Sequence, residues 1–137
     1  MQQDLPKVLA LLEQAGLPSA GVAENFDHFW VLEVDGAVAG AIGLEVYQDS
    51  GLLRSLVVRP DLRGQGQGHN LYFHLINQAM GLSLGELILL TNTAQDFFAD
   101  LGFEVIGRDQ VPEAMRASSE FSGACPESCI CMRIPLL

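Results

Sequence analysis

Behind Asp4, apolar residues recur at Leu5, Val8, Leu9, Leu11 and Leu12, the spacing of one helix face, with Pro6 in the first turn and Gly16 as a stop. A second, shorter helical stretch is predicted over residues 22–28. The pattern then changes period. Residues 30–34 read as a strand, Asp35-Gly36 as a hairpin turn, and residues 37–46 as the returning strand. Residues 48–51 make a second turn into a strand over 52–58, which Pro60 stops. Three alternate glycines then open a helix from about His69 to Met80, where Leu71, Leu75 and Ala79 share a face. Residues 86–91 are apolar enough to be buried on both sheet faces. A short helix over 96–101 ends at Gly102, a strand follows over 103–107, and a helix is predicted from Val111-Pro112 to Phe121. Residues 130–134 close the pattern as a strand. Helices, a three-strand antiparallel meander, then alternating helix and strand predict one α/β domain over residues 1–137, with a mixed, mostly antiparallel sheet flanked by helices.

Composition narrows the partners. The 137 residues are 49% apolar, enough for a core, and carry 7 basic against 17 acidic side chains, a formal charge of −10. Such acidity argues against nucleic acid and anionic membranes as partners. The longest apolar runs, 37–46 and 84–90, are too short to span a bilayer, and residues 1–7 lack a signal-peptide pattern. Cys125, Cys129 and Cys131 are an odd set that suits a reducing compartment, so a soluble, cytoplasmic protein is expected.

The sharpest motif is Arg63-Gly64-Gln65-Gly66-Gln67-Gly68, between a strand and a helix. Glycine allows positive φ and close backbone approach, and successive N–H groups at a helix start suit phosphate oxygens. The spacing is not that of a P-loop, and a dinucleotide-binding βαβ unit is disfavoured because the turn follows a meander.

This hexapeptide matches the Arg/Gln-x-x-Gly-x-Gly pattern of the GCN5-related N-acetyltransferases (GNAT). The preceding Leu56-Val57-Val58-Arg59-Pro60-Asp61-Leu62 resembles that family's fourth strand and turn, and Phe97-Phe98-Ala99-Asp100-Leu101-Gly102-Phe103 resembles its helix ending in Leu-Gly-Phe. The resemblance covers roughly residues 30–107. It implies that acetyl-CoA is the acyl-donor co-substrate, its pyrophosphate on the backbone of Arg63, Gly64, Gln65, Gly66, Gln67 and Gly68. It also implies a pantetheine arm pairing with Leu56, Val57 and Val58, between fourth and fifth strands (52–58 and 86–91) that splay apart. A backbone N–H near Val57 would stabilise the oxyanion while a substrate amine attacks directly. The family's first strand has no counterpart before the first helix, which implies an open sheet edge and a possible homodimer.

The attacking amine must shed a proton. Glu45, on the strand 37–46, is either the general base or an outward-facing carboxylate. The family often places an acid tyrosine where this chain has Phe98, so the acid is unassigned: either Tyr47 substitutes, or the thiolate leaves unaided and is protonated by water; Tyr72 is read as packing. Thr91, Asn92 and Thr93 stand where the splay is widest and either bond substrate or pantetheine, or cap a helix.

For the substrate, Arg54 and Arg116 together are candidates to hold the oxyanions of an acidic amino acid, or else form salt bridges to Glu45, Glu113 or Glu120. The stretch 111–121, with Cys125-Pro126 and Cys131-Met132, is similar to a GNAT subfamily of arsenic-resistance operons, itself similar to the acetyltransferase domain of N-acetylglutamate synthases. That resemblance implies acetylation of a glutamate-like or arsenical amino acid. Three thiolates at Cys125, Cys129 and Cys131 offer a competing reading, a non-catalytic metalloid binder or sensor, or they simply pack a closing strand. No metal site is expected otherwise.

Overall fold

The computed structural model describes residues 2–124 and 129–136. Helix α1 (Leu5–Gln14) turns Val8, Leu11 and Leu12 inward, as the spacing predicts. A single 3-10 stretch, Ala23–His28, stands where the second helix is expected. Strands β1 (Phe29–Val34), β2 (Ala37–Tyr47) and β3 (Ser50–Val58) form the meander. Its first turn has Asp35 at φ 53° and Gly36 at φ 79°, the double positive φ of a tight hairpin. Helix α2 (Gln67–Gly81) crosses to β4 (Glu86–Thr91); the short helix α3 (Gln95–Asp100), β5 (Glu104–Ile106) and β6 (Ile130–Pro135) follow.

The sheet order is β1-β2-β3-β4-β6-β5, antiparallel except where β3 runs parallel to β4. Helix α2 covers one face through Leu71, Leu75 and Ala79; α1 packs on Phe26, Phe29, Ala41 and Val57. A third cluster joins Leu52, Ile88 and Leu90 to Met115, Cys129 and Cys131.

The helix expected from Val111 to Phe121 does not form. A 3-10 turn (Glu113–Ala117) ends at Ser118, which is extended at ψ 146°, and a π-type turn (Glu120–Ala124) follows. Serine chemistry accounts for the break: the Ser118 hydroxyl accepts the Glu120 N–H at 3.2 Å, and the Ser119 hydroxyl donates to the Ala20 carbonyl at 2.9 Å. Hydroxyls that bond the backbone locally compete with a helix ladder.

Two irregularities open the sheet. Between Ala41↔Val57 and Gly43↔Arg54 the register slips, so Ser55 and Leu56 together face Ile42, a bulge with Ser55 at φ 61°. Strands β3 and β4 pair only at Ser50↔Glu86, Gly51↔Leu87 and Leu52↔Ile88. Beyond these pairs the strands part.

Candidate active site

The glycine turn has the conformation its composition requires. Gly64 and Gly66 sit at φ 81° and 83°, in the left-handed region, and a Cβ on either would meet nothing within 4 Å. Backbone geometry rather than crowding is therefore what selects glycine here. Gly66 is the residue from which α2 begins, so the first N–H groups of a 15-residue helix face this turn. Gly68 has ordinary φ and lies 3.5 Å (measured from an added Cβ) from the Phe97 ring. The Arg63 Nε donates to the Val58 carbonyl at 3.0 Å and ties the turn to the end of β3.

A groove of about 440 Å³ runs along this turn, lined by Leu56, Val58, Arg63, Gly64, Gly66, Gln67 and Gly68, together with Leu62, His69 and Phe97. Gln65 is not on that lining; its amide points to the Asp61 carbonyl at 3.4 Å. The groove continues through Leu56, Val58 and Arg63 into a cleft of about 580 Å³ between the parted strands. That cleft is lined by Arg54, Val57, Thr91, Asn92, Phe98 and Glu120, among others. Past Leu52 no β4 residue pairs with β3, so this flank of β3 can accept an added extended segment. A long thin ligand with a phosphate end fits this shape.

Phe98 is buried and packs edge-on to Phe97 (5.1 Å) and Phe103 (5.4 Å), forming an apolar wall with no proton to give. Thr91 caps the turn after β4 by accepting the Ala94 N–H at 3.0 Å, the role expected of Asn92 or Thr93. His69 and Phe97, with ring centroids 4.9 Å apart, flank the glycine turn. In the sequence His69 reads only as the start of a helix and Phe97 only as part of the Leu-Gly-Phe helix, neither as a site residue.

Of the two readings given to Arg54, the fold forms the salt bridges to Glu45 and Glu120. Glu45 is 2% exposed and does not face outward. Its Oε2 accepts from Arg54 Nη1 at 2.7 Å, and its Oε1 accepts the short hydrogen bond of the Tyr47 hydroxyl. Neither Glu45 nor Tyr47 lines the cleft. Burial, then the Glu45 hydrogen bond, pushes the Tyr47 phenol up to about 12, far from what a proton donor near neutrality needs. Tyr72 is buried against Phe103 and is packing, as read.

Arg54 and Arg116 do not converge. Arg54 is 2% exposed and held inside the fold: besides Glu45 it reaches Ser55 Oγ (3.0 Å), Ser119 Oγ (3.4 Å), the Pro18 carbonyl (3.4 Å) and, by charge, Glu120 (3.8 Å). Arg116 instead donates to the carbonyls of Asp109 (2.8 Å) and Arg108 (3.4 Å) and borders a separate hollow with Phe121. The broken 111–121 helix explains the separation.

A three-thiolate site is not formed either. Cys129 is disulfide-bonded, and Cys131 is buried with its thiol pushed up to about 11 by burial. Cys125 lies outside the described residues, among which no group of three His, Cys, Asp or Glu side chains could hold a metal. Nor is any helix of the described residues long and apolar enough to cross a membrane.

Known proteins match this geometry. The Acetyltransferase (GNAT) domain family matches residues 25–105. An amino-acid acetyltransferase of Neisseria meningitidis is 31% identical over 129 residues, covering 88% of this chain and 30% of that protein. One of Pseudomonas syringae is 35% identical over 92 residues, 66% of this chain and 21% of that one. This chain thus spans about a third or less of the curated relatives it matches. Among solved structures, N-acetylglutamate synthase from Neisseria gonorrhoeae, complexed with coenzyme A and N-acetyl-glutamate, superposes with a TM-score of 0.84 at 26% identity. The overlap covers 98% of this chain and 33% of that one. Rv2747 from Mycobacterium tuberculosis, in complex with CoA, superposes equally well (0.84, 26% identical) over 100% of this chain and 96% of its own. With its glycine turn, its splayed strands and a match over most of the sheet, the chain belongs to the GNAT acetyltransferase family.

Proposed function

We propose that this chain acetylates the amino group of a small, glutamate-like amino acid, an arsenical analogue included. The observation that carries this reading is the continuous cleft. It runs from the phosphate-type turn at Gly64–Gly66, along the flank of β3 that β4 leaves unpaired, to a pocket closed by Arg54 and Glu120. The likeness to amino-acid acetyltransferases and to a synthase complexed with N-acetyl-glutamate supports the substrate class.

In this reading Arg63, Gly64, Gly66, Gln67 and Gly68 hold the phosphate end of acetyl-CoA, with Asn92 and Phe98 on its opposite flank. Leu56, Val57 and Val58 offer backbone groups to its pantetheine arm, and acetyl-CoA supplies the activated acetyl group. A backbone N–H at Val57 stabilises the charge that develops on the carbonyl oxygen. Arg54 is already matched by two carboxylates, so a substrate carboxylate looks to the amide and hydroxyl groups of Asn92 and Thr93, which line the same cleft. The edge strand β1 is the place for the expected pairing with a second copy, which light scattering reads directly.

A thiol-release assay with acetyl-CoA tests the proposal across glutamate, an arsenical glutamate analogue, neutral amino acids and polyamines. CoA release that requires an acidic amino acid is expected. Release with polyamines alone, or with no amine at all, would sink the reading.

A further inference from the structure

The innermost wall of the cleft carries a charge imbalance. Two carboxylates, Glu45 and Glu120, share one guanidinium, Arg54, and all three side chains are buried, at 2%, 4% and 2% exposure. The sharing is unequal. Glu45 takes the 2.7 Å bond and a second hydrogen bond from Tyr47. Glu120 stands 3.8 Å from Arg54, beyond hydrogen-bond reach, and its Oε2 is a buried oxygen with no hydrogen-bond partner. A carboxylate oxygen shut away from water and left without a donor is costly, and in native structures such a group calls for an explanation, a catalytic role among them. Glu120 lines the cleft, whereas Glu45 does not.

Resting on the acetyltransferase reading above, we infer that Glu120 is the general base that receives the proton of the substrate ammonium, and that Arg54 positions it. An ammonium is the complement this site lacks: a cation with N–H donors facing a cluster one positive charge short. Glu120 takes one proton from the ammonium nitrogen. The freed lone pair forms the C–N bond as the C–S bond of the thioester breaks, and the second nitrogen proton leaves with the thiolate as free thiol. The proton on Glu120 then passes to solvent, so the net reaction releases one proton. The electrostatics agree with the role. Burial raises the Glu120 carboxyl above its usual range, Arg54 lowers it and Glu45 raises it again. The charged groups facing it are Arg54 and Glu45, with Tyr47 bonded to the latter.

The test compares wild type, Glu120→Gln and Glu120→Asp in the thiol-release assay from acid to alkaline pH, with CoA-induced thermal stabilisation read on each protein. General-base catalysis contributes on the order of 100-fold or more. Glu120→Gln should therefore lose about that factor in kcat/KM and also lose the acidic limb of the pH profile, while its CoA-induced stabilisation stays as in wild type. Glu120→Asp should keep the limb with reduced kcat. A Gln variant that keeps wild-type kcat/KM and the same limb overturns the role of Glu120 and leaves the acetyltransferase reading standing. Wild type that releases no thiol with any amine removes that reading, and this inference with it. Should Glu120→Gln not fold, Glu120→Asp decides: a wild-type kcat with an unmoved limb overturns the inference.

Discussion

Strands β3 and β4 are one pair of neighbours with two unlike halves. In the closed half, Ser50, Gly51 and Leu52 pair with Glu86, Leu87 and Ile88, and every charge has its match. Ser50 donates to Glu86 at 2.5 Å, and Arg133 from β6 makes a short hydrogen bond to the other Glu86 oxygen. In the open half the backbone of β3 has no β4 partner, and the buried Glu120 oxygen has no donor. The carboxyls record the contrast. Burial alone would raise both, but the Ser50 and Arg133 hydrogen bonds outweigh it at Glu86 and hold that group below its ordinary range. At Glu120 burial dominates and the group lies above it. Bonding capacity spent internally makes a clamp, and capacity left unspent makes a site.

The largest effect should come from breaking the open half at the buried cation of its charge cluster. Arg54→Met strands Glu45 and Glu120 together, and removing one partner of a buried pair costs about 3–5 kcal/mol. Urea unfolding should show a loss of that size, and adding Glu45→Gln should recover part of it. A loss below about 1 kcal/mol would mean that Arg54 is screened as a surface charge is. The next effect concerns the turn. At φ 83° a β-branched residue is strained by roughly 1–2 kcal/mol, so Gly66→Val should weaken acetyl-CoA binding about tenfold or more by calorimetry. The same change at Gly81, where φ is ordinary and the space is open, should leave binding as it was.

Most of this architecture was legible from local chemistry. Asp35-Gly36 reads as a hairpin because few other pairs tolerate positive φ twice, and both residues adopt it. Gly64 and Gly66 read as a ligand turn for the same reason, and the apolar run 86–91 reads as an interior strand and is one. The charge cluster was legible in part: salt bridges from Arg54 to Glu45 or Glu120 are one of its two readings and both form. The unequal sharing was not, since the three meet across β2, β3 and a loop that no period announces. Ala114, Met115 and Arg116 favour a helix, but the hydroxyls of Ser118 and Ser119 divert the chain and bring Glu120, rather than Arg116, to the cleft. Cys129 and Cys131 were ambiguous for a related reason: sequence spacing says which face a thiol takes, not whether that face is core.

The smallest effect is also the most direct measure of the contrast between the halves. Glu86 has a folded pKa below its ordinary 4.5, so its contribution to stability is present above that pH and fades as the pH falls through the folded value. Glu120 has the opposite sign: its folded state holds the proton more tightly, so stability is lost as the pH rises through its folded value. Unfolding free energies of wild type, Glu86→Gln and Glu120→Gln should be compared from pH 7 downward, over the range where the fold persists. The wild-type advantage over Glu86→Gln should be under about 1 kcal/mol, since Arg133 is part exposed, and it should shrink toward acid. Against Glu120→Gln, wild type should gain as the pH falls. If both differences ran the same way, the two halves of β3 and β4 would not differ in how they treat charge, and the open half would lose its claim to receive a cation.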